Sequence, residues 1–424
     1  MIGFTTTEPN EPVRIYQGAF DLRGVSKENS LPAKGSITIR WLPEPRLEFQ
    51  SQELPLEPLV FDVIRSPEIV DVEGKFICET TGSLRLQVGK EGPTLERSER
   101  LFLELELSRF ERTCDSTLDH VLFHVANLTG LHKRTSEGSG LSNVNRISIV
   151  GGGWRIQLDA TTVSDRRLRD SGGFALTHTG LLEREAKKPF TIEEAVEMLD
   201  GLYYFLSFVR GEWCWPCLYV GTFASKFCWF HCAKPREIDQ MMGLSADPFR
   251  FTGDEQVMAT SFDGFLDFWS DVEWRNPIRT ALSWYVEANR ARSMESAMVA
   301  GQTALELIAW LHVVERLKSL SPEGFDRLIA ADRFRLLLNM QGIPIDFPAQ
   351  SLDLSTYSSH PTRRWEDGPR AITELRNSIV HPRKRENLYR ASEDVREQAK
   401  RLTLRYLASS LVRLFGYTGE VPKA

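Results

Sequence analysis

Arg376-Asn377-Ser378-Ile379-Val380-His381 holds a guanidinium and an imidazole on one short stretch, and Pro382 follows at once. An imidazole gains and loses protons near neutral pH. A guanidinium offers a rigid fork of N–H donors to a phosphate. The pair suits phosphoryl chemistry, and Asn377, one helical turn before His381, can orient the ring.

The surrounding pattern is helical. At about 100° per residue, Ile372, Leu375 and Ile379 share one face, while Arg370, Glu374, Asn377, Ser378 and His381 form a polar stripe on the other. Arg376 then falls about 140° from His381, at the flank of the apolar face. Pro382 disfavours α conformation in the residue before it, so the helix is expected to end at His381 and free its side chain. A purely structural role would pair Arg376 with Glu374 or Glu306 and leave His381 as a helix end. The polar stripe and the basic cluster Arg383-Lys384-Arg385 weigh against that reading.

The elements that must carry these residues are helices near Ile278–Ala291, Met294–Leu317, Pro322–Met340, Arg370–His381 and Ser392–Leu414, with Pro344, Pro348 and Pro361 in a long connection before the fourth. Upstream the chain is β-rich. Ser36–Leu42, Leu59–Ile64, Leu84–Val88, Leu101–Leu107, Val121–Val125 and Trp154–Leu158 are expected strands, several alternating apolar and polar residues. Thr191 and Glu194 form a capping-box pattern, and Ile192, Ala195, Val196, Leu199, Leu202, Tyr203 and Leu206 give the helix after them an apolar stripe. Trp213–Val220 and Phe227–Cys232 read as a hairpin, with Gly221 at its turn. The fold class is therefore α+β: a β-rich region over residues 1–270, as a sandwich or curved sheet, then a helical bundle over 271–424.

The bulk properties agree with an ordinary globular chain: 424 residues, 42% hydrophobic, 26% charged. Met1–Asn10 lacks the basic and apolar regions of a signal peptide, and the apolar run Leu202–Val209 is too short to span a bilayer. A cytoplasmic, membrane-free protein is expected. The net charge of −6 argues against a general nucleic-acid coat. Between Pro361 and Arg413, however, 13 Lys and Arg face 7 Asp and Glu, so this segment carries +6 and the remainder −12. A basic C-terminal segment on an acidic body fits a polyanion held at one place.

Other candidates carry less. Cys214, Cys217, Cys228 and Cys232, with His231, invite zinc. A hairpin turning at residues 223–224 sets Cys217 opposite residue 230 and Cys228 opposite residue 219, which strings the sulfurs along the ladder instead of gathering them. Buried thiols and no metal are expected. His120, His124 and His132 lack an accompanying carboxylate motif and read as structural. Gly151-Gly152-Gly153 does not lead into a phosphate-binding helix. Tyr203, Tyr204 and Phe205 fit a core stripe, and His360 lies in a basic loop with Arg363 and Arg364.

The region 276–418 resembles a HEPN domain. Arg376, Asn377 and His381 match that family's signature of Arg, polar residue, three variable residues and His. The segments 302–308, containing Gln302 and Glu306, and 414–419 are also similar to such proteins. The layout of a β-rich region followed by HEPN resembles large bacterial ApeA-like HEPN proteins linked to anti-phage defence. The likeness implies a metal-independent, cofactor-free endoribonuclease, a toxin-like hydrolase working as a homodimer on RNA such as tRNA. His381 would be the general acid or base, Arg376 the stabiliser of the phosphorane and Asn377 an orienting residue, with Glu306 and Glu374 in support. Arg370, Arg383, Lys384, Arg385, Arg363 and Arg364 would bind the RNA. The N-terminal region would sense a phage-derived or cellular trigger. The alternative implied by the same family is a non-catalytic HEPN module that recognises RNA, a nucleotide or a partner protein.

Overall fold

Period-two alternation builds the first half of the chain. The computed structural model describes residues 8–23, 30–52, 54, 68–71, 76–89, 100–129, 146–163, 165–241, 255–381, 383 and 385–420. The expected strand at 59–64, His132, Pro382 and Lys384 lie outside the described residues.

Six antiparallel strands come first: β1 Val13–Arg23, β2 Ser30–Arg40, β3 Arg46–Ser51, β4 Glu68–Asp71, β5 Ile77–Gly89 and β6 Arg100–Arg112. They run in the order β3-β2-β1-β4-β5-β6, and β3 also pairs with β6, setting Leu47 against Leu107 and Phe49 against Leu105. The strands thus close on themselves as a barrel, which removes their free edges. Phe20, Ile37, Phe49, Leu105 and Leu107 are buried, with Phe20 edge-on to Phe49 at 4.9 Å. The sandwich or curved sheet expected from sequence is instead a closed barrel continued by a second sheet.

That second sheet holds β7 His120–Ala126, β8 Arg146–Gly151, β9 Trp154–Ala160, β10 Leu176–Arg184, β11 Trp215–Phe223 and β12 Lys226–Ala233. Its order is β12-β11-β7-β10-β9-β8, all antiparallel. β6 joins the two units: Glu104–Leu107 pair with β3, and Arg109–Arg112 pair with β12. Gly152 and Gly153, at φ +55 and +74, make the tight turn between β8 and β9, so the glycine run is hairpin chemistry. Between β9 and β10 lies a short helix, α1 Asp165–Ser171.

α2, Ile192–Arg210, packs on this sheet, and its start is set as the sequence indicates: Thr191 and Glu194 exchange both capping-box hydrogen bonds. The helical half then comprises α3 Glu255–Ser270, α4 Val272–Arg290, α5 Met294–Trp310, α6 Pro322–Asp326, α7 Ala330–Met340, α8 Leu352–Ser358, α9 Gly368–Val380, α10 Glu386–Tyr389 and α11 Glu393–Leu414. A π-helical segment, Leu311–Arg316, prolongs α5. The single helix expected over 322–340 is broken in two, because residues 327–329 leave the helical path before Ile329 starts α7. Met294–Arg316 is long and apolar enough to cross a membrane, but most of it is buried within the protein.

Sheet and bundle share one apolar core that runs from Val13 to Phe415. At the junction, Phe208 of α2 is edge-on to Tyr285 of α4 at 5.2 Å and to Phe415 at 5.8 Å. α3 lies against β8, where Gly152 donates its N–H to Asp263 at 2.8 Å.

Candidate functional site

α9 carries the Arg–His pair, and its first three turns are sunk into the bundle. Asp367 caps it by accepting from the Arg370 N–H at 2.9 Å. Arg335 of α7 fixes that cap through an ion pair with Asp367 at 2.5 Å. Gly368, Pro369, all five residues from Ala371 to Leu375, and Ser378 are buried. Gln302 of α5 donates to the Ile372 carbonyl at 2.8 Å, tying the two helices together. In the sequence, Gln302 stands out only through the likeness to HEPN proteins. A glutamine in the apolar stripe of a buried helix was the available signal for this anchoring role.

The polar stripe expected on the free face is only partly free. Glu374 and Ser378 are buried, since α5, α7 and α11 pack around α9 and not merely along its apolar face. Ser378 Oγ donates to the Glu374 carbonyl at 2.7 Å, and Glu374 pairs with Arg370 at 3.0 Å. A buried carboxylate needs such a partner.

The last turn emerges from this packing. Arg376 and Asn377 are half-buried, and Val380 and His381 are exposed. His381 leaves the helix at φ −117 and ψ 109, while its N–H still donates to the Asn377 carbonyl at 2.9 Å. That extended backbone is what a following proline imposes.

Arg376 lacks an ion pair with any described residue, and its Nε is shielded from solvent with no hydrogen-bond partner. Its neighbours are paired: Arg370 with Glu374, Arg335 with Asp332, Glu366 and Asp367, and Arg396 with Glu295. Pairing of Arg376 with Glu374 or Glu306, the structural alternative, is therefore absent among the described residues. Glu306 is half-buried and does not join Arg376. A half-buried cation without a counterion is a ready seat for an anion.

The basic candidates divide. Arg370 is held by Glu374. Arg383 and Arg385 are exposed just beyond His381. Arg363 lies flat over the Tyr357 ring at 3.6 Å and donates through Nε to the Tyr357 carbonyl at 2.7 Å. The Tyr357 hydroxyl in turn donates to the Asn387 carbonyl at 2.5 Å. The end of α8 and the 359–364 loop are thus fastened to the segment that follows Arg385, which gathers basic side chains from two stretches of chain. Arg364 is exposed, at φ +50.

The cysteines do not converge. Among the described residues no three His, Cys, Asp or Glu side chains are grouped to hold a metal. The β11–β12 register differs from the expected one: Tyr219 faces His231, Gly221 faces Trp229, and the turn is Ala224-Ser225, both with positive φ. Cys217 and Cys232 are buried side by side, and burial pushes both thiols up. Cys228 instead approaches Cys114 and Ser116, and Cys214 lies against Ser207, its thiol pushed up to about 12 by burial. His120 bonds to Thr222, and burial pushes His124 down to about 4. His360 meets Thr362 at 2.9 Å in its exposed loop.

Two family models match the chain: the YopA central domain over residues 114–243 and the YopA C-terminal domain over 271–422. The chain is also 26% identical over 396 residues to an SPbeta prophage-derived uncharacterized protein YopA of Bacillus subtilis (strain 168), covering 89% of this chain and 84% of that protein. No solved structure matches it.

Proposed function

We propose that the helical half is a HEPN domain and that the protein is a metal-independent endoribonuclease of the cytoplasm, acting in anti-phage defence. The observation that carries this reading is Arg376: a half-buried guanidinium without an acidic partner among the described residues, on the turn that exposes His381. The relative's prophage-derived origin supports a setting in phage–host conflict.

In this reading a scissile phosphate sits against Arg376. The imidazole of His381 takes the proton of the ribose 2′-OH as the oxygen attacks phosphorus. The bond to the leaving 5′-oxygen breaks, and that oxygen receives a proton. The products are a 2′,3′-cyclic phosphate and a 5′-hydroxyl. General acid–base work of this kind contributes roughly 10²–10⁴-fold, and the guanidinium stabilises charge where it develops on the phosphorane. Arg383, Arg385 and the Arg363 loop would hold the RNA backbone.

On an ideal helical wheel the positions of Arg376 and His381 lie about 140° apart, and His381 itself turns off the helix in extended conformation. A homodimer resolves this, since the exposed last turn of α9 can meet its copy across a two-fold axis. The test is expression in bacteria of the wild type and His381→Ala. The reading expects RNA fragmentation and growth arrest with the wild type alone. Equal RNA damage by both chains would reject His381, and intact RNA with stable RNA binding would favour a non-catalytic HEPN module.

A further inference from the structure

A cavity of about 590 Å³ lies where β6, β11 and β12 meet α2 and the first turn of α4. That volume is in the range that holds small molecules. It is separate from the α9 turn: none of its lining residues belongs to α9.

One wall presents an imidazole in a fixed setting. His231 Nδ1 lies 3.1 Å from Glu111 Oε1. Glu111 is buried, accepts from Trp229 Nε1 at 3.3 Å and pairs with Arg109 at 3.0 Å. The bond from His231 holds this carboxyl below the usual carboxylate range, so Nδ1 is the donor and Nε2 remains for another group. Across the strand pair, the Tyr219 ring lies nearly parallel to His231, at 14° and 5.6 Å. The two rings give the cavity a flat aromatic side.

Four basic side chains, Arg109, Lys234, Arg236 and Arg275, line the cavity with four acidic ones, Glu111, Glu193, Glu197 and Asp200. Glu197 and Asp200 of α2 are already met by Arg275 and Arg236. Arg236 uses one nitrogen on Asp200, and Lys234 meets Glu106 at 2.6 Å, which leaves N–H groups on both. Arg109 Nε is shielded and has no partner. Val196 of α2, 39% exposed, supplies an apolar surface on the wall opposite the sheet. Unfilled donors beside parallel rings and an exposed valine suit a ligand that is flat at one end and anionic at the other.

We propose that this cavity binds a nucleotide, its base between Tyr219 and Val196 and its phosphate on Lys234 and Arg236. The proposal is independent of whether the α9 turn cuts RNA. Bases stack on aromatic side chains regardless of sequence, and Arg and Lys are the usual phosphate donors.

The experiment is calorimetric titration of the full chain with adenine and guanine mononucleotides, alongside the matching nucleosides and inorganic phosphate. At least one nucleotide should bind, about tenfold or more tighter than its nucleoside or phosphate alone. Val196→Trp should intrude on the site proposed for the base and weaken binding by a similar factor, with unchanged circular dichroism. Lys234→Ala, at an exposed position, should weaken the nucleotide and leave nucleoside binding alone. The proposal is overturned if no nucleotide binds at millimolar concentration, if phosphate alone binds as tightly, or if Lys234→Ala binds as the wild type does.

Discussion

Glu374 is held 3.0 Å from Arg370, on the same helix as Arg376 but not against it. The buried carboxylate of α9 therefore neutralises the first arginine of that helix and leaves the second without a counterion among the described residues. The two arginines should respond differently to substitution. Glu374→Ala strips a half-buried guanidinium of its partner and should cost roughly 1–3 kcal/mol in urea unfolding. Arg376→Ala removes an unpaired cation and should change stability by less than about 0.5 kcal/mol. An equally large loss for Arg376→Ala would mean that the residue is structural.

Because the helical wheel sets the positions of Arg376 and His381 apart, the proposed site draws on two copies. Sedimentation should give a dimer. Arg376→Ala and His381→Ala chains, each inactive, should regain RNA cleavage when refolded together, since one composite site per mixed dimer keeps both groups. A strict monomer that still cuts RNA would overturn the dimer arrangement.

α3 and the end of α11 meet without room for a side chain. A Cβ on Gly264 would lie 2.0 Å from the Phe415 carbonyl oxygen and 2.6 Å from its carbon. Backbone cannot rotate aside, so Gly264→Ala should destabilise by about 1–3 kcal/mol through overpacking. That sign opposes helix propensity, which favours alanine by about 1 kcal/mol. A thermal melt that rises on this substitution would contradict the packing described.

Acid should unfold the protein partly through His124. Burial lowers its folded-state value from 6.5 to about 4, so the unfolded chain takes up the proton first. Stability from this group is complete above pH 6.5 and falls as the pH drops toward 4. The loss approaches about 3 kcal/mol. Glu111, also lowered, acts in the same direction at still lower pH. Urea unfolding at neutral and acid pH should show a smaller drop for His124→Gln than for the wild type. Parallel drops would show that the imidazole is not buried in its neutral form.

Local signals were legible and long-range ones were not. Thr191 and Glu194 act within three residues of each other, and the structure places this capping box where the sequence does. The closure of the barrel by β3 on β6 joins residues more than fifty apart and leaves no local trace. Gly221, expected at the hairpin's turn, lies elsewhere for a packing reason. It stands in a strand because a side chain there would strike Leu118 and Trp229, while the turn itself uses Ala224 and Ser225. At the site, the spacing of Arg376, Asn377 and His381 and the effect of Pro382 could be read from the chain. The burial of Glu374 could not, because a helical wheel shows one helix and not the three packed around it.

The central claim rests on one rate. Purified protein is incubated with tRNA and total RNA in EDTA, and the cleavage rate and product ends are compared for the wild type and His381→Ala. The account predicts metal-free cleavage leaving 2′,3′-cyclic phosphates, slowed roughly 10²-fold or more in the variant. Intact RNA with the wild type under every activating condition, or an unchanged rate in His381→Ala, would contradict it.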